Sequence, residues 1–183
     1  MNTTIDAPLE WNLETHDFEM RSGADFSADR LHRLLLWRRW SIEPCLGFVM
    51  LNPSSAHETR NDPTTVRNMA RARALGYGGV IQVNLYSFRT PSPAVLKALG
   101  YPGFMRGDAS GVHIHAWCRM LREVVDIVLA WGAHAKPEDA ARAIRFLRNA
   151  HPSKRLLHLG VLKNGQPRHP LMTAYASPLL EWP

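Results

Sequence analysis

An asparagine placed directly after an apolar run and before a proline is held in an extended or turn conformation, where its amide can orient a water or a substrate carbonyl. Asn52-Pro53 has that form, because it follows the run 46–51. The bland use of such a residue is to cap its own loop with its side chain. Ser54 and Ser55 add hydroxyl donors, but no Gly-x-Ser-x-Gly elbow surrounds them. Asn84 is a second amide at the end of an apolar run. Its paired donor and acceptor suit the edge of a base, and suit a neighbouring loop backbone equally well. His169 lies in Pro167-Arg168-His169-Pro170, where two prolines stiffen the loop around one imidazole. Rigid presentation of a titratable ring fits acid, electrophilic or anion-stabilising work, although most loop histidines are structural or merely exposed.

Asp62-Pro63 has the pattern of a helix N-cap followed by proline at the first helical position. A helix start facing a site would also offer free backbone N–H groups to a phosphate, with Arg60 and Arg67 flanking it. Arg67 and Arg71 form a stripe that is a solvated face unless it borders the site. Tyr86 and Phe88, at alternate positions, could stack on a base or fill a core face, and Arg89 is a candidate phosphate contact. His113-x-His115 with Cys118 invites a metal reading. On a helix, however, residues two apart do not face the same way, and no second pair has zinc-like spacing, so no metal or other cofactor is expected. Gly76-Tyr77-Gly78-Gly79 is a helix stop and turn, too short and too late in its helix for a P-loop.

The elements that must hold these residues follow from periodicity. The runs 46–51, 79–85, 125–131 and 155–160 read as buried strands, each ending in a polar loop. Between them, 63–75 keeps helical spacing for about three turns. A helix is expected over 108–124, with Val112, Ala116, Met120 and Val124 spaced by four, and another opens at Pro137 with Ala140, Ile144 and Leu147 on its inner stripe. The segment 86–93 reads as loop. The run 30–40 fits strand or helix and is read as a strand paired with its neighbour in an N-terminal hairpin; a further strand is expected near 13–20. Strands alternating with helices predict a parallel sheet covered on both faces, with ligands beyond the carboxyl ends of the strands.

The bulk properties agree with one α/β domain over 26–183 behind a lead-in over 1–25. The chain has 183 residues and is 45% hydrophobic, with no apolar run approaching the roughly 20 residues that span a bilayer. The start lacks a basic, apolar leader, and two distant cysteines, Cys45 and Cys118, fit a reduced compartment, so a cytoplasmic protein is expected. A net charge of +6, dominated by arginine, favours a polyanionic partner such as nucleic acid or a nucleotide.

The series Met50-Leu-Asn-Pro-Ser-Ser55, Asn61-Asp-Pro-Thr64, Val83-Asn-Leu85, Trp131-Gly132 and Gly165-Gln-Pro-Arg-His-Pro-Leu171 resembles the uncharacterised family called domain of unknown function 1643. The resemblance runs from about residue 25 to the C-terminus, with Leu162 where threonine is common and Met172 where tyrosine is. More distantly, the order of motifs is similar to the uracil-DNA glycosylase superfamily. That resemblance implies a three-layer α/β sandwich around a central, mainly parallel four-stranded sheet, with the N-terminal hairpin added to it. It also implies that Asn52-Pro53 positions a catalytic water, that Asn84 reads the base, and that His169-Pro170 steadies the departing base. Leu129-Ala-Trp-Gly-Ala-His-Ala135 matches a further turn, which brings Trp131 and Gly132 to the substrate. Two features of that superfamily are missing: Leu171 replaces the serine after His-Pro, and no aromatic follows Asn52-Pro53.

The glycosylase resemblance implies hydrolysis of the N-glycosidic bond of an unusual or damaged base. Asn52 and His169 would be catalytic. Pro53, Ser54, Asp62, Asn84, Tyr86, Arg89, Trp131, Gly132 and Arg168 would contact substrate. Arg60, Arg67 and Arg71 would contact nucleic acid, DNA ahead of RNA. Two alternatives stay open: a reader of a modified base that does not cut it, and an enzyme acting on free nucleotides.

Overall fold

The computed structural model describes residues 20–101 and 110–183. Residues 1–19 of the expected lead-in, the strand expected near 13–20 apart from its last residue, and the expected helix start at 108 lie outside these. The described elements are β1 (Arg21–Phe26), β2 (Arg33–Arg39), β3 (Cys45–Met50), α1 (Pro63–Ala74), β4 (Gly79–Asn84), α2 (Pro93–Ala98), α3 (Ser110–Glu123), β5 (Val124–Leu129), α4 (Pro137–Ala150), β6 (Arg155–His158) and β7 (Leu180–Glu181). Short 3-10 turns follow at Gly132–His134 and Pro170–Met172. No helix among the described residues is long and apolar enough to cross a membrane.

All seven strands form one mixed sheet in the order β1-β2-β4-β3-β5-β6-β7. This corrects the expected fold, a four-stranded sheet with a separate hairpin. β2 carries Leu34, Leu35 and Leu36, all buried, and pairs antiparallel with β4 in the register Leu36↔Gln82. The β1–β2 hairpin therefore covers what would have been an open edge of β4. At the other end β7 pairs antiparallel with β6. Between these additions β4, β3, β5 and β6 run parallel to one another. Unpaired edge groups are costly, and short flanking strands satisfy them; a sequence reading centred on long apolar runs misses them.

Alternation along the strands splits the core into two layers. Val49, Ile81, Val83, Ile127 and Leu129 face α3 and α4, packing on Trp117, Met120, Leu121 and Leu147. Leu46, Phe48, Met50, Val80 and Val128 face α1, packing on Met69 and Ala72. The chain is thus an α/β fold. The segment read as loop over 86–93 ends in α2, capped by the Ser92 hydroxyl, which accepts from Val95 N–H at 3.5 Å.

Candidate functional site

A cavity of about 500 Å³ opens beyond the carboxyl ends of β3, β4 and β5. Asn52, Ser54, Asp62, Asn84, Trp131, Gly132 and His169 all line it, drawn from five separate segments. This is where the crossovers of a parallel core leave room for a ligand.

Asn52 follows the end of β3. Its Nδ2 donates to Pro53 O at 3.0 Å and Thr90 O at 2.6 Å. Both acceptors are carbonyls, so the nitrogen is fixed toward the loop and Oδ1 is left as the acceptor for the cavity. Pro53 is buried beneath, its carbonyl also accepting from Thr90 N–H at 2.9 Å. Pro53 therefore ties two loops together and does not line the cavity.

Asp62 is the N-cap of α1: Oδ1 accepts from Thr65 N–H at 2.8 Å. Its other carboxylate oxygen has no protein hydrogen bond and is available to the cavity that Asp62 lines. The loop that brings it there is held by Arg38, 1% exposed, which donates to Asn61 Oδ1 at 2.8 Å and to the carbonyls of His57 and Arg60 at 2.6 and 3.1 Å.

Asn84 is the last residue of β4. Its carbonyl accepts from His113 Nε2 at 2.8 Å and Trp117 Nε1 at 3.3 Å, both on α3. Its Oδ1 accepts from Arg33 Nη2 at 3.3 Å, and its Nδ2 is buried with no hydrogen-bond partner. His113 is therefore a buried support for Asn84. Among the described residues no group of three or more His, Cys, Asp or Glu is placed to hold a metal ion.

Trp131 is buried, its Nε1 donating to Gln166 Oε1. Gly132 has φ of +75°, and its N–H donates to Pro167 O at 3.0 Å. A Cβ there would stand 3.3 Å from His169 Cβ, so the glycine lets the loop after β5 lie against the His169 loop. His169 Nδ1 accepts from Leu171 N–H at 3.3 Å, which leaves Nε2–H as the donor of the neutral ring. Burial pushes His169 below its ordinary value, with the Asp62 carboxylate opposing the shift. The ring is therefore neutral at pH 7.

Several expected contacts are placed elsewhere. Tyr86 is buried in the core, donating to Asp139 Oδ2 at 2.9 Å and accepting from Lys136 N–H at 3.2 Å. Its phenol is held far above the ordinary value by burial first and Asp139 next, and the fully buried ring does not line the cavity. Arg89 donates to Arg30 O at 3.1 Å and lies over the Phe26 ring. Arg67 and Arg71 grip the chain that follows His169. Arg67 Nη1 donates to Thr173 O at 2.5 Å, and Arg71 Nη2 to Thr173 Oγ1 and Ala174 O at 3.3 and 2.8 Å. Arg67 also lies over Tyr175. These arginines are spent inside the protein because the C-terminal segment crosses α1, a contact about 100 residues away in sequence. Arg60 and Arg168 are exposed, outside the cavity lining, Arg168 packing its stem on Gly160.

Sequence reasoning missed Arg33, which is 3% exposed and lines the cavity. Burial lowers its guanidinium to about 10, with the charge of Asp62 opposing, so it stays charged at neutral pH. The signal was an arginine at the head of Leu34-Leu35-Leu36, a charge where a strand turns inward. Gln82 was also missed. It lies two residues before Asn84 on the same strand face and is held by Thr65 and Asn68 at 3.2 Å each. Thr64, His134, Leu162 and Met172 complete polar and apolar parts of the wall.

The chain belongs to the family described as Protein of unknown function (DUF1643), whose model matches residues 33–171. That span includes Arg33 and every other cavity residue named above except Met172. No curated protein and no solved structure matches it.

Proposed function

We propose that this member of the DUF1643 family receives a nucleobase in its cavity and hydrolyses the N-glycosidic bond joining that base to its sugar. One observation carries the reading: the same cavity holds two oxygens free to accept from a water, on Asn52 and Asp62, and an imidazole N–H on His169. Asn52 Oδ1 orients the water and the free oxygen of Asp62 takes its proton. The water oxygen attacks the anomeric carbon, and the carbon–nitrogen bond breaks with its electron pair going to the base. The neutral His169 ring donates a hydrogen bond to the departing anion, which then receives the proton held by Asp62. The products are a free base and an abasic sugar. A carboxylate beside the water supplies a stronger base than Asn52 alone.

The substrate reading is nucleic acid, DNA ahead of RNA, on the strength of the +6 charge and of Arg60, Lys163 and Arg168. These three are exposed and lie within two residues of cavity-lining positions. Extruding a base costs a few kcal/mol, which phosphate contacts must offset. A second reading, hydrolysis of free nucleosides or nucleotides, is favoured by one observation: Arg67, Arg71 and Arg89 are engaged within the protein.

The test is a gel assay on single-stranded and duplex DNAs carrying uracil, hypoxanthine and modified pyrimidines, with alkali to reveal abasic sites. Product that is lost in both Asn52→Ala and His169→Ala supports the reading. Binding without product would replace it with a non-cutting reader. A shallow salt dependence, with product only from free nucleosides, would replace the polymer with the small substrate.

A further inference from the structure

The N–H groups of a guanidinium lie in one rigid plane, so whatever it grips on one side is fixed relative to what holds it on the other. Arg38 on β2 is 1% exposed, and each of its three nitrogens donates to the protein. Nη1 donates within the β1–β2 hairpin, to Trp37 O at 2.7 Å and Gly23 O at 3.4 Å. Nη2 donates to His57 O at 2.6 Å and Arg60 O at 3.1 Å, and Nε to Asn61 Oδ1 at 2.8 Å. His57 N–H also donates to Arg60 O at 3.0 Å, closing the turn that Arg38 holds. Arg30 and Arg33 grip the same segment, Arg30 pairing with Glu58 at 2.9 Å and Arg33 Nη1 donating to Ala56 O at 3.1 Å. Residues 51–62 carry no helix or strand, so side-chain contacts of this kind set their path.

The path ends at Asp62. Its cap bond to Thr65 N–H fixes the carboxylate relative to α1, but not relative to the loop after β3 that carries Asn52. We infer that Arg38 is a positioning residue for Asp62: from outside the cavity it ties residues 57–61 to the β1–β2 hairpin and so holds the free oxygen of Asp62 beside Asn52. The inference rests on the hydrolysis proposed above, in which that oxygen takes the proton of the water. Arg38 does not line the cavity, and its hydrogen bonds go to residues 57–61 and not to Asp62, so it acts through the chain it holds. Burial lowers its guanidinium and the charges of Asp62 and Glu58 oppose that shift, which fits an Asp62 that is near but not touching. A reacting group misplaced by about 1 Å costs on the order of a hundredfold in rate, so a clamp remote from the chemistry can still govern it.

The experiment makes Arg38→Lys in the full chain, which keeps the charge but gathers its donors on one nitrogen and cannot span hairpin and loop. The abasic-site assay reads kcat and KM separately, with and without Asp62→Asn. Arg38→Lys should lower kcat by about tenfold to a hundredfold and leave KM within about threefold. In the Asp62→Asn chain the same change should cost less than about threefold, because the group it positions is gone. Unchanged kcat overturns the inference, as does an equal loss in both chains, which a purely structural role would give. If melting curves show that Arg38→Lys does not fold, Asn61→Ala, which removes only the Nε acceptor, decides in its place. A loss of about threefold or more in kcat, confined to the chain that retains Asp62, then supports the inference, and unchanged kcat overturns it. If the unaltered protein makes no abasic product, the hydrolysis reading fails and hydrogen exchange at Thr65 N–H, the group that Asp62 caps, tests the clamp by itself. Exchange about tenfold faster in Arg38→Lys, relative to the amides of β5, supports positioning of Asp62 by Arg38; unchanged relative exchange overturns it.

Discussion

The proposed reaction gives the Asp62 carboxylate two jobs, and paired substitutions separate them. One oxygen caps α1 through Thr65 N–H, and the other, in the cavity that Asp62 lines, is the one proposed to take the proton of the water. Alanine removes both. Thr65 is 1% exposed, so its N–H would be left buried and unpaired, and the cap loss falls at the upper end of the usual range, about 2 kcal/mol. Loss of the attraction between Asp62 and the buried Arg33 adds about 1 kcal/mol. For a chain of this length each kcal/mol lowers the melting temperature by about 2–4 °C, so Asp62→Ala should melt about 6–12 °C below the unaltered protein. Asparagine caps as well as aspartate and loses only the charge, so Asp62→Asn should melt about 2–4 °C lower. Activity should behave differently. Both variants lose the group that takes the proton from water, and both should fall by about 10²–10⁴ in the abasic-site assay. Asp62→Asn retaining more than about a tenth of the activity would show that Asp62 is only a cap. Asp62→Asn melting as low as Asp62→Ala would refute the capping argument instead.

Burial holds His169 below its ordinary value of 6.5, so hydrolysis should stay level from pH 8 to about 6.5 and fall only in more acid solution as the ring protonates. The same shift makes the stability owed to the neutral ring complete above 6.5 and lost as pH falls through the lowered value; a pH–rate profile beside pH-dependent melting checks both. In Gly132→Ala, a side chain at φ of +75° costs about 1–2 kcal/mol, and its Cβ meets His169 Cβ at 3.3 Å. Activity measured well below the melting point should therefore drop at least tenfold while melting falls by only about 2–8 °C; unchanged activity would show that the two loops are not coupled. Arg71→Met releases Thr173 and Ala174, yet Arg71 Nε and Nη1 are buried without partners, so stability should change by only about 1 kcal/mol. Limited proteolysis should then cut faster within 173–183, and an unchanged digestion pattern would remove the strap role given to Arg71.

Much of the parallel core was legible because its signals are local. The runs 46–51, 79–85, 125–131 and 155–160 are largely apolar, and each overlaps a strand of the structure whose start it matches to within one residue. Asp62-Pro63 marked the start of α1 because a cap and a proline act within one turn. The ends of those strands also pointed to Asn52, Asn84, Trp131 and His169, which the structure sets around one cavity. Less legible were the sheet's outer strands. β7 is two residues long and exposed, and it is a strand only because β6 offers it an edge. Tyr86 and Arg89 were read toward the ligand because alternation says that neighbours face opposite ways, not which face meets the cavity.

By itself the sequence determined which segments break from apolar to polar, what caps α1, and the motif series that places the chain in its family. Those features depend on residues within a turn or a strand of one another. Only the tertiary structure decided which polar groups meet. Arg33 reaches Asn84 because β2 pairs antiparallel with β4 in one register, and a slip of β2 by one residue would turn Arg33 to the other face, away from Asn84. Arg67 and Arg71 turn from surface charges into clamps because residues 173–175 cross α1. Each of these contacts joins segments whose approach is set by strand order and burial of the whole core, a global minimum that no local spacing encodes.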